Sequence, residues 1–317
     1  MLSPDQIASF EQNGYLVVED VLDQQAVIEP LKAEYTTLLD RLYDAWFEEG
    51  RLTTPPTGLS FHDKLLIAYR AKCDWFQPMD ISLPGDRIYA DTPMHFGPAV
   101  FEMVTNRRLL DLVEDLIGPE ITSNPIQHVR IKPPATDLQE DEIRAHITST
   151  DWHQDRGVAL EEADSTNMIT VWCAISDATV ENGCLQVIPG AHREGMKPHC
   201  PKKQTAIADG QIDLNRALPL PVKSGGAVIF HPLTPHASLT NQTETFRWSF
   251  DLRYNVTGEP TGRAHFPDFV ARSEAHPEQV LRSVDEWRAM WEDAREKLAI
   301  KPHIDIHRWS ADSPLCA

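Results

Sequence analysis

The chain has 317 residues, 41% of them hydrophobic, which is enough to bury a sizeable core. Its 29 Lys and Arg are outnumbered by 48 Asp and Glu, for a formal charge of −19. Nucleic acid and anionic membranes attract clustered basic side chains, so neither is an expected partner.

Taken in order, Ser3-Pro4 reads as an N-cap followed by proline, opening a helix that ends near Asn13-Gly14. From Asp23 to about Glu49, Val27, Leu31, Tyr35, Leu38, Leu39 and Leu42 recur at helical spacing, the mark of a long helix with one apolar face. Residues 51 to 100 mix proline, aromatics and short helical stretches, and Asn106 to Ile117 forms another helix closed by Gly118-Pro119. Strands dominate from about 121 to 256, with a charged surface insertion over Asp137 to Ile147, and Ser283 caps a last helix running to Ala299. Repeats and linkers are absent. The expected organisation is one domain over 1–317: a mostly helical part to 120, a β core over 121–256, and a C-terminal helix and tail over 257–317.

Chemistry concentrates in Trp152-His153-Gln154-Asp155 and in His231-Pro-Leu-Thr-Pro-His236. Alternate residues of an extended chain point the same way, so His153 and Asp155 can bite one metal from a strand edge while Gln154 looks elsewhere. A third ligand must come from another strand. Gly225 to Phe230 reads as a buried strand entering a proline-bounded turn, and His236 opens the strand that leaves it. Two histidines and one carboxylate form the face that non-haem Fe(II) uses, with positions left open for a cosubstrate and O2. His231 competes with His236 for the third place.

Downstream, Phe246, Trp248, Phe250, Leu252 and Tyr254 line one side of a strand and Arg247 and Ser249 the other. A polar side opposite a clean apolar stripe suits an enclosed site. The planar guanidinium of Arg247 matches a carboxylate at two points, and the Ser249 hydroxyl can add a third bond. Before the metal motif, His128, Arg130 and Lys132 alternate with Val129 and Ile131. If that polar face lines the site, Arg130 meets a carboxylate or phosphate of the substrate.

Asn182-Gly183-Cys184-Leu185-Gln186-Val187-Ile188-Pro189-Gly190-Ala191-His192 lies between the two metal segments. It resembles a signature of the phytanoyl-CoA dioxygenase family of Fe(II)/2-oxoglutarate oxygenases. Similarity extends over roughly residues 1 to 260, including the opening helix, Gly14 and first strand, and Lys132-Pro-Pro. The resemblance implies a double-stranded β-helix (a cupin-like jelly roll), mainly β with helical additions. It implies His153, Asp155 and His236 as iron ligands and Arg247 with Ser249 on the distal carboxylate of 2-oxoglutarate. Trp172 would lie along the cosubstrate, and His128 would also contact it. Because Asp155 is intact, halogenation, which needs a small residue there, is disfavoured.

The expected activity is therefore Fe(II)-, O2- and 2-oxoglutarate-dependent hydroxylation of a C–H bond in a small-molecule metabolite, releasing succinate and CO2. Two alternatives stay open: a cupin-like metalloenzyme that does not use 2-oxoglutarate, and a non-catalytic small-molecule-binding protein. Cys73, Cys173, Cys184, Cys200 and Cys316 are odd in number, have no metal-type spacing, and read as reduced thiols. With no long apolar segment and no SKL-type ending, a cytoplasmic location is expected. The His303, Asp305, His307 alternation reads as a packed tail rather than a second metal site. Arg107-Arg108 and Lys202-Lys203, the candidate contacts for a coenzyme A phosphate, read as solvated charge. Trp75, Phe76 and Tyr89 read as core before lid.

Overall fold

A computed structural model describes residues 1–317 apart from 86, 138–148, 203, 302, 303, 305, 307 and 317. The expected insertion over 137–147 falls almost wholly outside the described residues, as do His303, Asp305, His307 and Lys203. Helix α1 (Pro4–Asn13) starts on Ser3, whose hydroxyl accepts from the Gln6 N–H while the Gln6 side chain accepts from the Ser3 N–H. Strand β1 (Tyr15–Val18) follows, then α2 (Glu29–Glu48), α3 (Phe61–Arg70), α4 (Phe76–Met79), α5 (Pro98–Val104) and α6 (Arg107–Ile117). After β2 (Ile121–Lys132) come α7 (Asp155–Val158), β3 (Met168–Ala174), β4 (Leu185–Val187), β5 (His199–Pro201) and β6 (Thr205–Ile207). The rest is β7 (Leu218–Leu220), β8 (Ala227–Phe230), β9 (His236–Ser238), β10 (Arg247–Val256), β11 (Phe269–Arg272) and α8 (Val284–Ala299). Helices hold more residues than strands, so the mainly-β expectation is corrected: apart from β1 the elements before β2 are helices, and they pack against one face of the large sheet.

Antiparallel pairing builds a six-stranded sheet in the order β1-β8-β3-β10-β2-β11 and a three-stranded sheet in the order β7-β4-β9. The two sheets meet through Trp172 of β3, Leu185 and Val187 of β4, Leu220 of β7 and Val228 and Phe230 of β8. On its other side the large sheet carries the helices: Tyr35 of α2 packs edge-on against Trp248 and Phe250 of β10, at 5.1 and 5.8 Å between ring centroids. The period-two alternation of β10 thus assigns its aromatic residues to the helical layer and its polar residues to the space between the sheets.

Asp23 caps a widened turn at Gln24–Ile28 that runs straight into α2, as the spacing predicts. Trp75 and Phe76 are buried in the helical core, whereas Tyr89 is exposed. Among the described residues no helix is long and apolar enough to cross a membrane.

The reduced-thiol reading is corrected at two positions. Cys200 of β5 and Cys316 form a disulfide across 116 residues, with Cα atoms 5.4 Å apart, while Cys73, Cys173 and Cys184 are free and buried. An odd count excludes complete pairing but not one pair, and a pair so distant in sequence leaves no spacing signature. Cysteine content therefore ceases to argue for a reducing compartment.

Candidate active site

The distal histidine is placed by a turn that leans on the first helix. Gly14 adopts φ +77°, and its carbonyl accepts from the His231 N–H at 2.9 Å and from Thr234 Oγ1 at 2.5 Å. A Cβ at this position would stand 2.4 Å from His192 Nδ1, so only glycine fits beneath the turn. His236 then enters β9, and His153 pairs with it through two backbone hydrogen bonds of 3.0 and 2.9 Å. Their imidazoles lie side by side, centroids 4.2 Å apart.

Asp155 is not on a strand edge, which corrects the extended reading of the motif. The bridge to β9 ends after His153, Arg156 donates its N–H to Pro232, and Asp155 becomes the first residue of α7. Gln154 looks elsewhere, as expected, and holds the loop. Its Nε2 donates to the carbonyls of Gly195 (2.9 Å) and Leu233 (2.7 Å), and its Oε1 accepts from the Lys197 N–H (2.7 Å). Its backbone N–H donates to His199 Nε2 at 3.0 Å.

The donor atoms of His153, Asp155 and His236 lie within 4.8 Å of one another, and all three residues are buried. Asp155 Oδ1 is 3.7 Å from His153 Nε2 and 3.9 Å from His236 Nε2. Each Nδ1 faces a backbone carbonyl, Asp151 at 2.8 Å and Thr234 at 3.0 Å. A carbonyl only accepts, so Nδ1 carries the proton and the Nε2 lone pair is left for a metal. Burial, and next His236, hold His153 well below the ordinary histidine range, in the neutral form a ligand needs. Burial alone would raise the Asp155 carboxyl; Arg253, the two histidines and Thr170 outweigh it and keep the group ionised. Thr170 Oγ1 donates to Oδ2 at 2.5 Å, and Arg253 Nη2 donates to Oδ1.

His231 stands outside this cluster. Its Nδ1 accepts from the Leu233 N–H at 3.1 Å, its ring lies 5.1 Å from His192, and burial pushes it down to about 4.

Beside the triad, a narrow cavity between the sheets is lined by Thr170, Trp172, Ser238 and Arg247. Arg247 is buried, its guanidinium carbon 5.2 Å from the Trp172 ring centroid. Ser249 does not line this cavity; its Oγ accepts from Arg247 Nη1 at 2.9 Å and so orients the guanidinium. Lys132, in register with Arg247 on β2, donates to Ser238 Oγ at 2.7 Å and to the Leu239 carbonyl at 2.6 Å. Burial pushes Arg247 down to about 10. Arg247 Nε has no hydrogen-bond partner, and no carboxylate among the described residues forms an ion pair with this side chain. A buried, unsatisfied guanidinium donor at the end of a slot leading from the triad fits the far carboxylate of 2-oxoglutarate.

A second, larger cavity of about 270 Å³ opens on the other side of His153. His128, Arg130 and Arg253 line it, and Arg130 and Arg253 border both cavities. His128 therefore stands on the outer wall, its Nδ1 2.8 Å from Asp80 Oδ2, rather than in the inner slot with Trp172. Arg130 faces the site as the alternation predicts, with its Nε paired to Asp251. Thr170, Asp251 and Arg253 escaped the sequence reading. Yet Asp251 and Arg253 continue the alternation that exposed Arg247 and Ser249, and extending that pattern along β10 would have found them.

Two antiparallel sheets enclosing a 2-His-1-carboxylate cluster beside an orphaned arginine are the arrangement that a non-haem iron oxygenase using 2-oxoglutarate requires. Residues 10–249 match the phytanoyl-CoA dioxygenase (PhyH) family, and the chain belongs to that family. Among curated relatives, a probable phytanoyl-CoA dioxygenase of Caenorhabditis elegans is 27% identical over 80% of this chain and 75% of its own length. The peroxisomal phytanoyl-CoA dioxygenase of Rattus norvegicus is 24% identical over 80% of this chain and 68% of its own. Among solved structures, the non-haem monooxygenase ThoJ shares the fold with a TM-score of 0.59 at 18% identity, over 94% of this chain and 99% of that one. The epimerase SnoN, solved with Fe3+, α-ketoglutarate and nogalamycin RO, aligns with a TM-score of 0.52 at 20% identity, over 82% and 87%. Membership of this family makes the protein a 2-oxoglutarate-dependent oxygenase, and His153, Asp155 and His236 are the residues able to hold its iron.

Proposed function

We propose that the enzyme hydroxylates a C–H bond of a small-molecule metabolite, consuming O2 and 2-oxoglutarate and releasing succinate and CO2. His153, Asp155 and His236 hold the iron in this reading; Arg247, oriented by Ser249 and flanked by Trp172, takes the distal carboxylate of 2-oxoglutarate. Iron, when bound, supplies O2 activation coupled to decarboxylation of the keto acid. The observation that carries the reading is the buried triad joined by one narrow slot to a guanidinium whose Nε lacks an acceptor. A metalloenzyme that does not use 2-oxoglutarate has no need of that arginine.

The chain's own groups bind, orient and exclude water. Backbone carbonyls at Asp151 and Thr234 fix both imidazole tautomers, and Thr170 and Arg253 fix the carboxylate plane. Trp172, Phe230 and Leu185 close the apolar side of the slot and keep bulk water from the reacting centre. Arg130 and His128 belong to the substrate side. No general acid or base is required, since the hydrogen leaves carbon and oxygen takes its place. A succinate-coupled screen of small metabolites against iron-loaded protein tests this: substrate-stimulated succinate release with a product heavier by one oxygen supports hydroxylation. Succinate release with an unoxygenated product redirects the assignment to another oxidation.

A further inference from the structure

The outer cavity has an unusual electrostatic character for so acidic a chain. Against the formal charge of −19, its wall carries Arg130, Arg253 and Arg263, and no Asp or Glu among the described lining residues. Two of the arginines are neutralised from behind, Arg130 by Asp251 and Arg253 by Asp155. Arg263 is not. It is 6% exposed, it donates to the Ile306 carbonyl at 2.8 Å and the Val158 carbonyl at 3.2 Å, and it has no acidic partner among the described residues.

A buried guanidinium without a counter-ion is costly unless a ligand completes it. Arg253, 8% exposed, adds a second unmet demand, because its Nε has no hydrogen-bond partner. The rest of the wall is mixed: Leu83, Ile126, Val158, Phe266 and Ile306 supply apolar surface beside the neutral polar Ser82, Thr150, Gln204 and Thr205 and the two histidines, and at about 270 Å³ the space falls just below the usual ligand range of roughly 300–1,000 Å³. Arg263 is also fixed in place: the preceding Gly262 has φ +73°, and a Cβ there would lie 2.6 Å from Ala159 Cβ.

Building on the function proposed above, we infer that the substrate is a compact organic anion whose carboxylate or phosphate sits on Arg263 with Arg253 beside it. Its apolar body then lies along Ile126, Val158 and Phe266, and the carbon to be oxidised points to His153. Arg263, rather than Arg130, is the anion-selecting residue.

The test uses protein loaded with Mn(II) as a redox-silent metal and saturated with 2-oxoglutarate. Hexanoate, hexyl phosphate and neutral hexanamide are titrated by calorimetry into wild type, Arg263→Gln and Arg263→Lys. At least one anion is expected to bind about ten- to hundredfold tighter than hexanamide, the span for a hydrogen bond to a charged group. Which anion wins separates a carboxylate from a phosphate. Arg263→Gln should erase the preference, and Arg263→Lys should keep part of it. Equal binding of anion and amide, no binding by any of the three, or a preference that survives Arg263→Gln overturns the inference. Should Arg263→Gln fail to fold, the wild-type comparison and the lysine variant decide it. Saturation with 2-oxoglutarate is itself followed by calorimetry before the anions are added, which tests the underlying function separately, so the two failures are distinguishable.

Discussion

The inner and outer cavities share His153, Arg130 and Arg253 but differ in how much of the rest of their wall is paired strand. The inner slot is framed by paired strands: β10 runs in register with β2 on one side and β3 on the other, so Arg247 stands opposite Lys132 and Asp251 opposite both His128 and Trp172. The outer cavity takes Ile126, His128 and Arg130 from β2 and Arg253 from β10 and is closed by connecting segments and the C-terminal tail, through Leu83, Arg263 and Ile306. Strand pairing fixes which way every second side chain points; a loop residue is placed only by the particular bonds it makes. The inner half is therefore expected to set the chemistry and the outer half the choice of substrate.

The largest effect should come from the triad. His153→Ala, Asp155→Ala and His236→Ala are each expected to abolish succinate formation, because among the described residues no other His, Cys, Asp or Glu joins this cluster to replace a lost ligand. Succinate release from any of them at wild-type rate would break the division between the halves.

Next in size is Arg247→Lys. An ammonium cannot reproduce a two-point contact, so the apparent Michaelis constant for 2-oxoglutarate should rise about ten- to hundredfold, corresponding to ~1.5–3 kcal/mol, with iron content unchanged. Steady-state kinetics at varied 2-oxoglutarate check this, and an unchanged constant removes Arg247 from the slot.

Gln154→Ala sharpens the comparison by testing the scaffold alone. It strips hydrogen bonds from the Gly195 and Leu233 carbonyls and the Lys197 N–H, and should cost about 1–3 kcal/mol in denaturant unfolding. Metal affinity should weaken with it, since the loop it braces joins His153 to Asp155.

The smallest effect is a pH dependence from the same loop. His199 accepts from the Gln154 N–H through Nε2 at 3.0 Å, a bond that requires the neutral ring, while its Nδ1–H donates to the Lys197 carbonyl at 2.8 Å in either form. Burial pushes its folded value down to about 4, against an unfolded value of about 6.5. A depressed value means that the stabilisation is fully present above pH ~6.5 and is lost as pH falls towards 4. Melting temperature should decline across that window, and His199→Gln should reduce the slope.

The legibility of the two halves in the sequence follows the same physics. His153, Asp155 and Arg247 are readable from motif spacing and alternation, whereas the choice of His236 over His231 and the place of Trp172 rest on the family resemblance. The helix starts at Ser3, Asn106 and Ser283 were readable because capping is local. Asp155 fell on a helix instead of a strand edge because a tertiary bond from Arg156 to Pro232 turns the chain. Ser249 points where alternation says, but whether it reaches the cavity or stops behind Arg247 depends on packing depth, which no pattern encodes. Arg263 and the Cys200–Cys316 pair were invisible: each depends on where a distant segment crosses, at Ile306 and at β5 respectively.

The central claim, that His153, Asp155 and His236 form the metal face, is tested most directly by titrating Fe(II) anaerobically into wild type, His236→Ala and His231→Ala. One tightly bound iron per chain in wild type and His231→Ala, with loss in His236→Ala, is the expected result. Iron retained by His236→Ala and lost by His231→Ala would contradict the account, because the geometry places His231 outside the cluster.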